Sequence, residues 1–221
     1  HPDFFKDESE VRESFKKFTR RLTGRKILIT EKDSLHKKFN LKVWGSHNQK
    51  NANMVYLLGR ALGIDEGKII QSLESFEGIG RRMELISDKN GIKVYDDYAH
   101  HPTAIKTTLS GLRDKYPDAR IWAVIEAHGY ARTKALLNKY AGVFAKADSV
   151  VVGPIFRARD SRTFGITEKS IAQASKHKNI FNFSDLDKML AFLQKNLKAK
   201  DVVLVMGAGR SNIWAQKISE I

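Results

Sequence analysis

The chain has 221 residues, 42% of them hydrophobic and 10% aromatic, enough for one filled core and part of a second at roughly 100 to 200 residues per domain. It has no cysteine, which excludes disulfides, thiolate metal centres and a cysteine nucleophile, and no apolar run approaches the roughly 20 residues of a membrane span. The formal net charge of +14 first suggests nucleic acid, but the basic residues are spread over most predicted helices without a nucleic-acid motif, so an anionic small substrate or simple solvation of the surface explains it as well.

The chain starts at His1 and not at Met, which reads as a processed, excised or truncated product. Charge alternates with aromatics up to Thr23, unlike a signal-peptide core. Val11, Phe15, Phe18 and Leu22 recur at helical spacing and predict a helix over 8–22. KILIT predicts a buried strand at 26–30, and LKVWG a second short strand at 41–45. Helices follow at 49–62 and 65–76, the latter with Asp65 as N-cap. Gly78 and Gly80 break the pattern, and the domain boundary is placed there, between 1–79 and 80–221.

From Arg82 onward the texture alternates regularly. Strands at 83–87, 91–97, 120–127, 149–155, 179–183 and 201–207 are interleaved with helices at 102–115, 131–146, 167–176, 185–197 and 211–220. Strands of continuous Val and Ile predict an α/β domain, Rossmann-like, with a mostly parallel sheet covered on both faces. Ligands bind such sheets at the carboxyl ends of their strands. The loops at 97–102, 127–133, 155–165 and 207–211 are therefore expected to share one rim.

Several short motifs carry chemistry, each beside a plainer reading. In GSHNQKN, Asn48 and Asn51 lie three apart next to His47; paired carboxamides can read an adenine edge, or Asn48 can cap a helix. In GIGRRMEL, a guanidinium of Arg81 or Arg82 can grip phosphate or pair with Glu84. DDYAHHP ends a strand on two carboxylates, a Tyr and two His, and Pro102 opens a helix; a solvated turn with a capping Asp is the alternative. AHGYART places His128, Tyr130 and Arg132 where a carboxylate substrate could bind. VMGAGRSN follows a strand and opens a helix, so Gly207 and Gly209 could admit an anion, although tight turning explains them too. GIDEGKI resembles a phosphate loop only superficially, and no G-x-x-x-x-G-K-[ST] occurs in the chain.

In their order these motifs are specific. H-P-D-F-F, G-x-H-N-x-x-N, G-x-G-R-R-x-E, V-Y-D-D-Y-A-H-H-P-T, A-H-x-Y-x-R-T and V-L-V-M-G-A-G together make the whole chain resemble the Mur ligases of peptidoglycan synthesis. The D-D-Y-A-H-H-P block and the double Arg resemble most the members that join L-alanine to UDP-N-acetylmuramate. The resemblance implies a cytoplasmic enzyme using ATP and Mg2+, in which ATP phosphorylates the muramoyl carboxylate and the amine attacks the acyl phosphate. It also implies that 1–79 is the rear of the central α/β ATPase domain and 80–221 the carboxyl-terminal Rossmann-like domain. The UDP-sugar domain and the phosphate loop would then belong to a missing amino-terminal part of the same enzyme, without which the chain is not expected to catalyse the reaction.

Position by position, the resemblance gives His1 as a magnesium ligand and His47, Asn48 and Asn51 as the adenine site. Arg82 would contact the ATP phosphates, Asp97 the ribose or a metal-bound water, and Tyr98, His100, His128 and Arg132 the amino-acid side; Arg82, Asp97 and His100 are the expected catalytic residues. One position departs: the family carries Arg directly after the histidine at 128, and this chain has Gly129. Losing a charged hydrogen bond costs roughly 1.5–3 kcal/mol. A relative that attaches a recycled murein tripeptide is therefore an alternative, and a non-catalytic nucleotide- or anion-binding module is a third reading.

Overall fold

The computed structural model describes residues 4–24, 26–33 and 35–221. Contacts divide the chain into two compact units, His1–Gly78 and Ile79–Ile221.

In the first unit, α1 (Glu8–Arg20) starts at Asp7, whose carboxylate accepts the Glu10 N–H at 2.9 Å. None of its residues is buried, and Phe15 and Phe18 are each 67% exposed. Helix α2 (Ser46–Ala61) begins three residues earlier than its apolar pattern suggests, because Gly45 adopts φ 101° and turns the chain there. Asp65 caps α3 (Glu66–Ser75) by accepting from Lys68 N–H at 3.1 Å. The core is small: Phe39, Ala52, Tyr56 and Ile69.

The two strands expected at 26–30 and 41–45 do not form. A strand exists as one side of a ladder, and neither segment pairs with another among the described residues; Leu28, expected inside, is 58% exposed. At residues 37 and 39 the extended backbone is instead held by side chains of α2. The Asn53 carboxamide accepts from Lys37 N–H at 2.9 Å and donates to its carbonyl at 2.7 Å, and Gln49 does the same for Phe39 at 3.1 and 2.7 Å. Two carboxamides one helical turn apart thus do the work of a neighbouring strand.

The second unit is an α/β sheet of six strands: β1 (Glu84–Lys89), β2 (Ile92–Asp97), β3 (Ile121–Ile125), β4 (Ser149–Val152), β5 (Ile180–Asn182) and β6 (Val202–Met206), in the order β1-β2-β6-β3-β4-β5. Only β1 is antiparallel. Val94, Trp122, Val124, Val151, Val203 and Val205 face α7 (Leu186–Asn196) and α8 (Ser211–Ile218) through Met189, Leu193, Trp214 and Ile218. The alternate residues Ala123, Ile125, Val150, Val152, Leu204 and Met206 point the other way and are buried too, so both faces are covered. At roughly 1.5–3 kcal/mol for each fully buried Val, Leu or Ile side chain, these strands hold the unit together.

Helices α4 (Pro102–Lys115), α5 (Tyr130–Leu136) and α6 (Glu168–Ser175) complete the unit. The helix expected over 131–146 stops early, giving way to a 3-10 turn at Leu137–Tyr140 and further turns. Gly142 has φ 70°, which an α-helix cannot contain, while Tyr140 and Phe144 are buried as anchors. Strand β4 ends before Pro154, which has no N–H to give a ladder.

Candidate functional site

The carboxyl ends of β2, β3, β4 and β6 carry the rim of the second unit. After β3 and β4 the pairing continues: Phe156 donates its N–H to the Ala127 carbonyl at 2.9 Å, and Gly129 to the Phe156 carbonyl at 2.8 Å. This draws four rings into a row. Centroids lie 5.5 Å apart for Tyr98 and His100, 5.7 Å for His100 and His128, and 5.2 Å for His128 and Phe156. Two guanidinium carbons sit over the Tyr98 end, Arg81 at 5.0 Å and Arg82 at 5.5 Å.

His100 is the titratable centre of the row. Its Nδ1 lies 2.9 Å from the Tyr98 carbonyl, an acceptor, which assigns the N–H of the neutral ring to Nδ1 and the lone pair to Nε2. Burial holds its pKa below the usual 6.5, and the positive fields of Arg132 and Arg82 push the same way. The ring is neutral at neutral pH, a proton acceptor beside two cations.

The two carboxylates that end β2 face different tasks. Asp97 is buried; its Oδ1 accepts from Ala99 N–H at 2.8 Å and its Oδ2 from Met83 N–H at 3.0 Å, so it braces the backbone on both sides of the site. The capping Asp considered for this turn is not the cap of α4: His101 Nδ1 accepts the Thr103 N–H at 3.2 Å. Asp96 is buried, its Oδ2 takes Arg81 Nε–H at 3.2 Å, and its Oδ1 has no hydrogen-bond partner. Burial raises the Asp96 pKa against the pull of Arg81.

The anion that the glycine loop 207–211 could admit is the chain's own. Glu126, at the end of β3, accepts from Gly209 N–H at 2.8 Å and Arg210 N–H at 2.9 Å, filling the amino end of α8. A Cβ on Gly209 would stand 2.6 Å from Glu126 Oε2 and 2.5 Å from the Phe156 ring, so a glycine is required there by close approach. Burial raises the Glu126 pKa, and the amides oppose that.

At the β3–α5 turn Gly129 has φ 79° and supplies no cap; Asp160 does so from the β4–α6 loop, its Oδ2 accepting Ala131 N–H at 3.1 Å. That oxygen lies 3.2 Å from where a Cβ at 129 would stand. A carboxylate occupies the neighbourhood of the Arg that the family pattern places here.

In the first unit His47 folds its ring back under Gly45, where a Cβ would meet His47 Cε1 at 2.7 Å. Asn48 sits in the first turn of α2 and is not its cap; its Nδ2 donates to the Trp44 carbonyl at 2.8 Å. Asn51 is exposed one turn along. His1 lies outside the described residues, and among those described no three His, Asp or Glu come together as a metal site. The rim therefore gathers Arg82, Asp97, Tyr98, His100, His128 and Arg132 on one unit, while His47, Asn48 and Asn51 belong to the other. Sequence reasoning saw Asp96 as one of two carboxylates ending a strand but gave it no role, and missed Glu126, Phe156 and Asp160; of these only Glu126 left a signal, a lone carboxylate ending an apolar run.

A family model described as "Mur ligase, glutamate ligase domain" matches residues 81–209. The UDP-N-acetylmuramate–L-alanine ligase of Agathobacter rectalis is 40% identical over 171 residues, 76% of this chain and 37% of that protein. The ligase of the same name from Alkaliphilus metalliredigens is 30% identical over 270 residues, 99% of this chain and 58% of that protein. The chain thus spans about 37% to 58% of the length of these curated relatives. Among solved structures, UDP-N-acetylmuramate–alanine ligase from Thermotoga maritima superposes with a TM-score of 0.67 and 27% identity, over 81% of this chain and 38% of that one. A murein peptide ligase from Psychrobacter arcticus gives 0.62 and 28%, over 83% and 39%.

Proposed function

Since the chain belongs to the Mur ligase family, whose members are ATP-dependent ligases that form carbon–nitrogen bonds, we propose that it is the acceptor-handling part of an enzyme joining L-alanine to the muramoyl carboxylate of UDP-N-acetylmuramate in the cytoplasm. Unit His1–Gly78 then corresponds to the rear of the ATPase domain and unit Ile79–Ile221 to the carboxyl-terminal domain, the remainder being an amino-terminal part of the same enzyme. The observation that carries the reading is the rim: the His100 ring stands between those of Tyr98 and His128, with the Arg82 guanidinium over Tyr98.

ATP supplies the phosphoryl group that turns a carboxylate oxygen into a leaving group. Arg82, exposed at the Tyr98 end, offers two parallel N–H donors to a phosphate. Arg132 is the cation for the acceptor's carboxylate, and His100 Nε2 takes the proton that the amine loses as its nitrogen attacks the acyl carbon and phosphate departs. Asp97 acts through the backbone it braces. Asn51, with Asn48 and His47, offers a carboxamide to the adenine edge. Mg2+, when bound, would neutralise charge on the phosphates, and His1 is the residue that would hold it.

A second reading, attachment of a murein tripeptide, is favoured by Gly129 and Asp160, which remove a cation from the acceptor side. The chain is mixed with the amino-terminal part of a family member, and phosphate release is followed with UDP-N-acetylmuramate, ATP and either acceptor. Release dependent on L-alanine supports the first reading, release only with tripeptide the second, and release with neither from a folded pair overturns both. Tight ATP binding by the chain alone in calorimetry would favour a non-catalytic module instead.

A further inference from the structure

The β6–α8 turn has the build of a phosphate cradle, but the chain occupies it from two sides. Glu126 takes the Gly209 and Arg210 amides, while Arg81 donates to the Gly207 carbonyl at 2.8 Å and to Ser211 Oγ at 2.9 Å. The turn is an abutment for Arg81. The same guanidinium reaches Asp96 Oδ2 at 3.2 Å and covers the Tyr98 ring. The Arg81 backbone is equally committed: its N–H donates to Glu84 Oε2 at 2.7 Å and its carbonyl accepts Tyr98 N–H at 2.8 Å.

Arg81 and Met83 have φ 58° and 53°, left-handed conformations that residues other than glycine keep only where their surroundings hold them. Between them stands Arg82, exposed. We propose that Arg81 is a positioning residue: by tying the corner 81–83 to Asp96 and to the β6–α8 turn, it fixes the direction in which Arg82 projects. The kinetic consequence rests on the reading of Arg82 as a phosphate contact; the geometric one does not.

In the reconstituted ligase, R81A, R82A and the double variant are compared by kcat/KM for ATP. Each single change is expected to lower it about 10- to 200-fold, the size of one lost charged hydrogen bond. The double variant is expected to be no worse than R82A, because what Arg81 positions is already gone; losses that multiply would overturn the proposal. R81K keeps the charge without the fork and is expected to fall with R81A; wild-type kcat/KM in R81K would equally overturn it. On the chain alone, which needs no partner, R81A is expected to speed amide exchange at Met83 and Tyr98 and to lower the backbone heteronuclear NOE at Arg82, with Val203 and Val205 still protected. Unchanged values at those three residues overturn the positioning role whether or not any ligase activity can be reconstituted, and R81K is read in the same way should R81A not fold.

Discussion

His100 is set apart by where its charge would fall. Because burial depresses its pKa, the folded chain binds fewer protons than the unfolded one below the usual 6.5, so its contribution to stability is present above that value and lost as pH falls through the folded pKa. Urea unfolding at pH 7.5 and pH 5.5 is expected to show a loss on acidification that is smaller in His100→Gln, and in the reconstituted ligase the same change is expected to lower kcat about 10²- to 10⁴-fold. Gly129→Arg, which restores the family pattern, is expected to destabilise by about 1–2 kcal/mol, since φ 79° disfavours any side chain and Asp160 lies 3.2 Å from its Cβ. Calorimetry should read this as a Tm lower by about 2–8 °C. Much of the rim was legible in the sequence because strand ends in a parallel sheet share one edge. Which of two adjacent arginines is tied down was not: Arg81 meets Gly207 and Ser211 across separations of 126 and 130 residues, beyond any local pattern.

At the scale of elements, the β6–α8 turn shows a glycine loop serving an internal ligand. Glu126→Ala would leave two amides at the start of α8 without their acceptor and is expected to cost about 1–3 kcal/mol, whereas Glu126→Gln keeps an acceptor oxygen and is expected to cost less. The raised pKa gives the sign of a pH effect: stability from this group is full below the ordinary 4.5 and is lost as pH rises through the folded value, so Glu126→Gln should flatten that slope in denaturant midpoints. The same scale explains where periodicity failed. KILIT has the composition of a strand, but composition supplies only one side of a ladder. The helix over 131–146 has apolar residues at helical spacing, yet Gly142 takes a conformation no helix holds. Strands of continuous Val and Ile in the second unit were legible because burial on both faces leaves so little choice of residue.

The two units differ in how much they bury. A core of Phe39, Ala52, Tyr56 and Ile69 supports the first, and six strands packed between helices the second. Unfolding is therefore expected not to be two-state: amides of α2 should exchange well before those of β3 and β6, with Tyr56 fast and Val124 and Val203 slowest by mass spectrometry or NMR. The order of the strands was not readable, since nothing local says that the last strand in the chain lies between the second and the third. That order has a consequence in time. As the polypeptide leaves the ribosome, β1 with β2 and β3 with β4 and β5 emerge as two ribbons with no edge in common; only when residues 202–206 arrive can they be joined. Until then each ribbon must be kept from other partners, and the site at their shared rim does not yet exist.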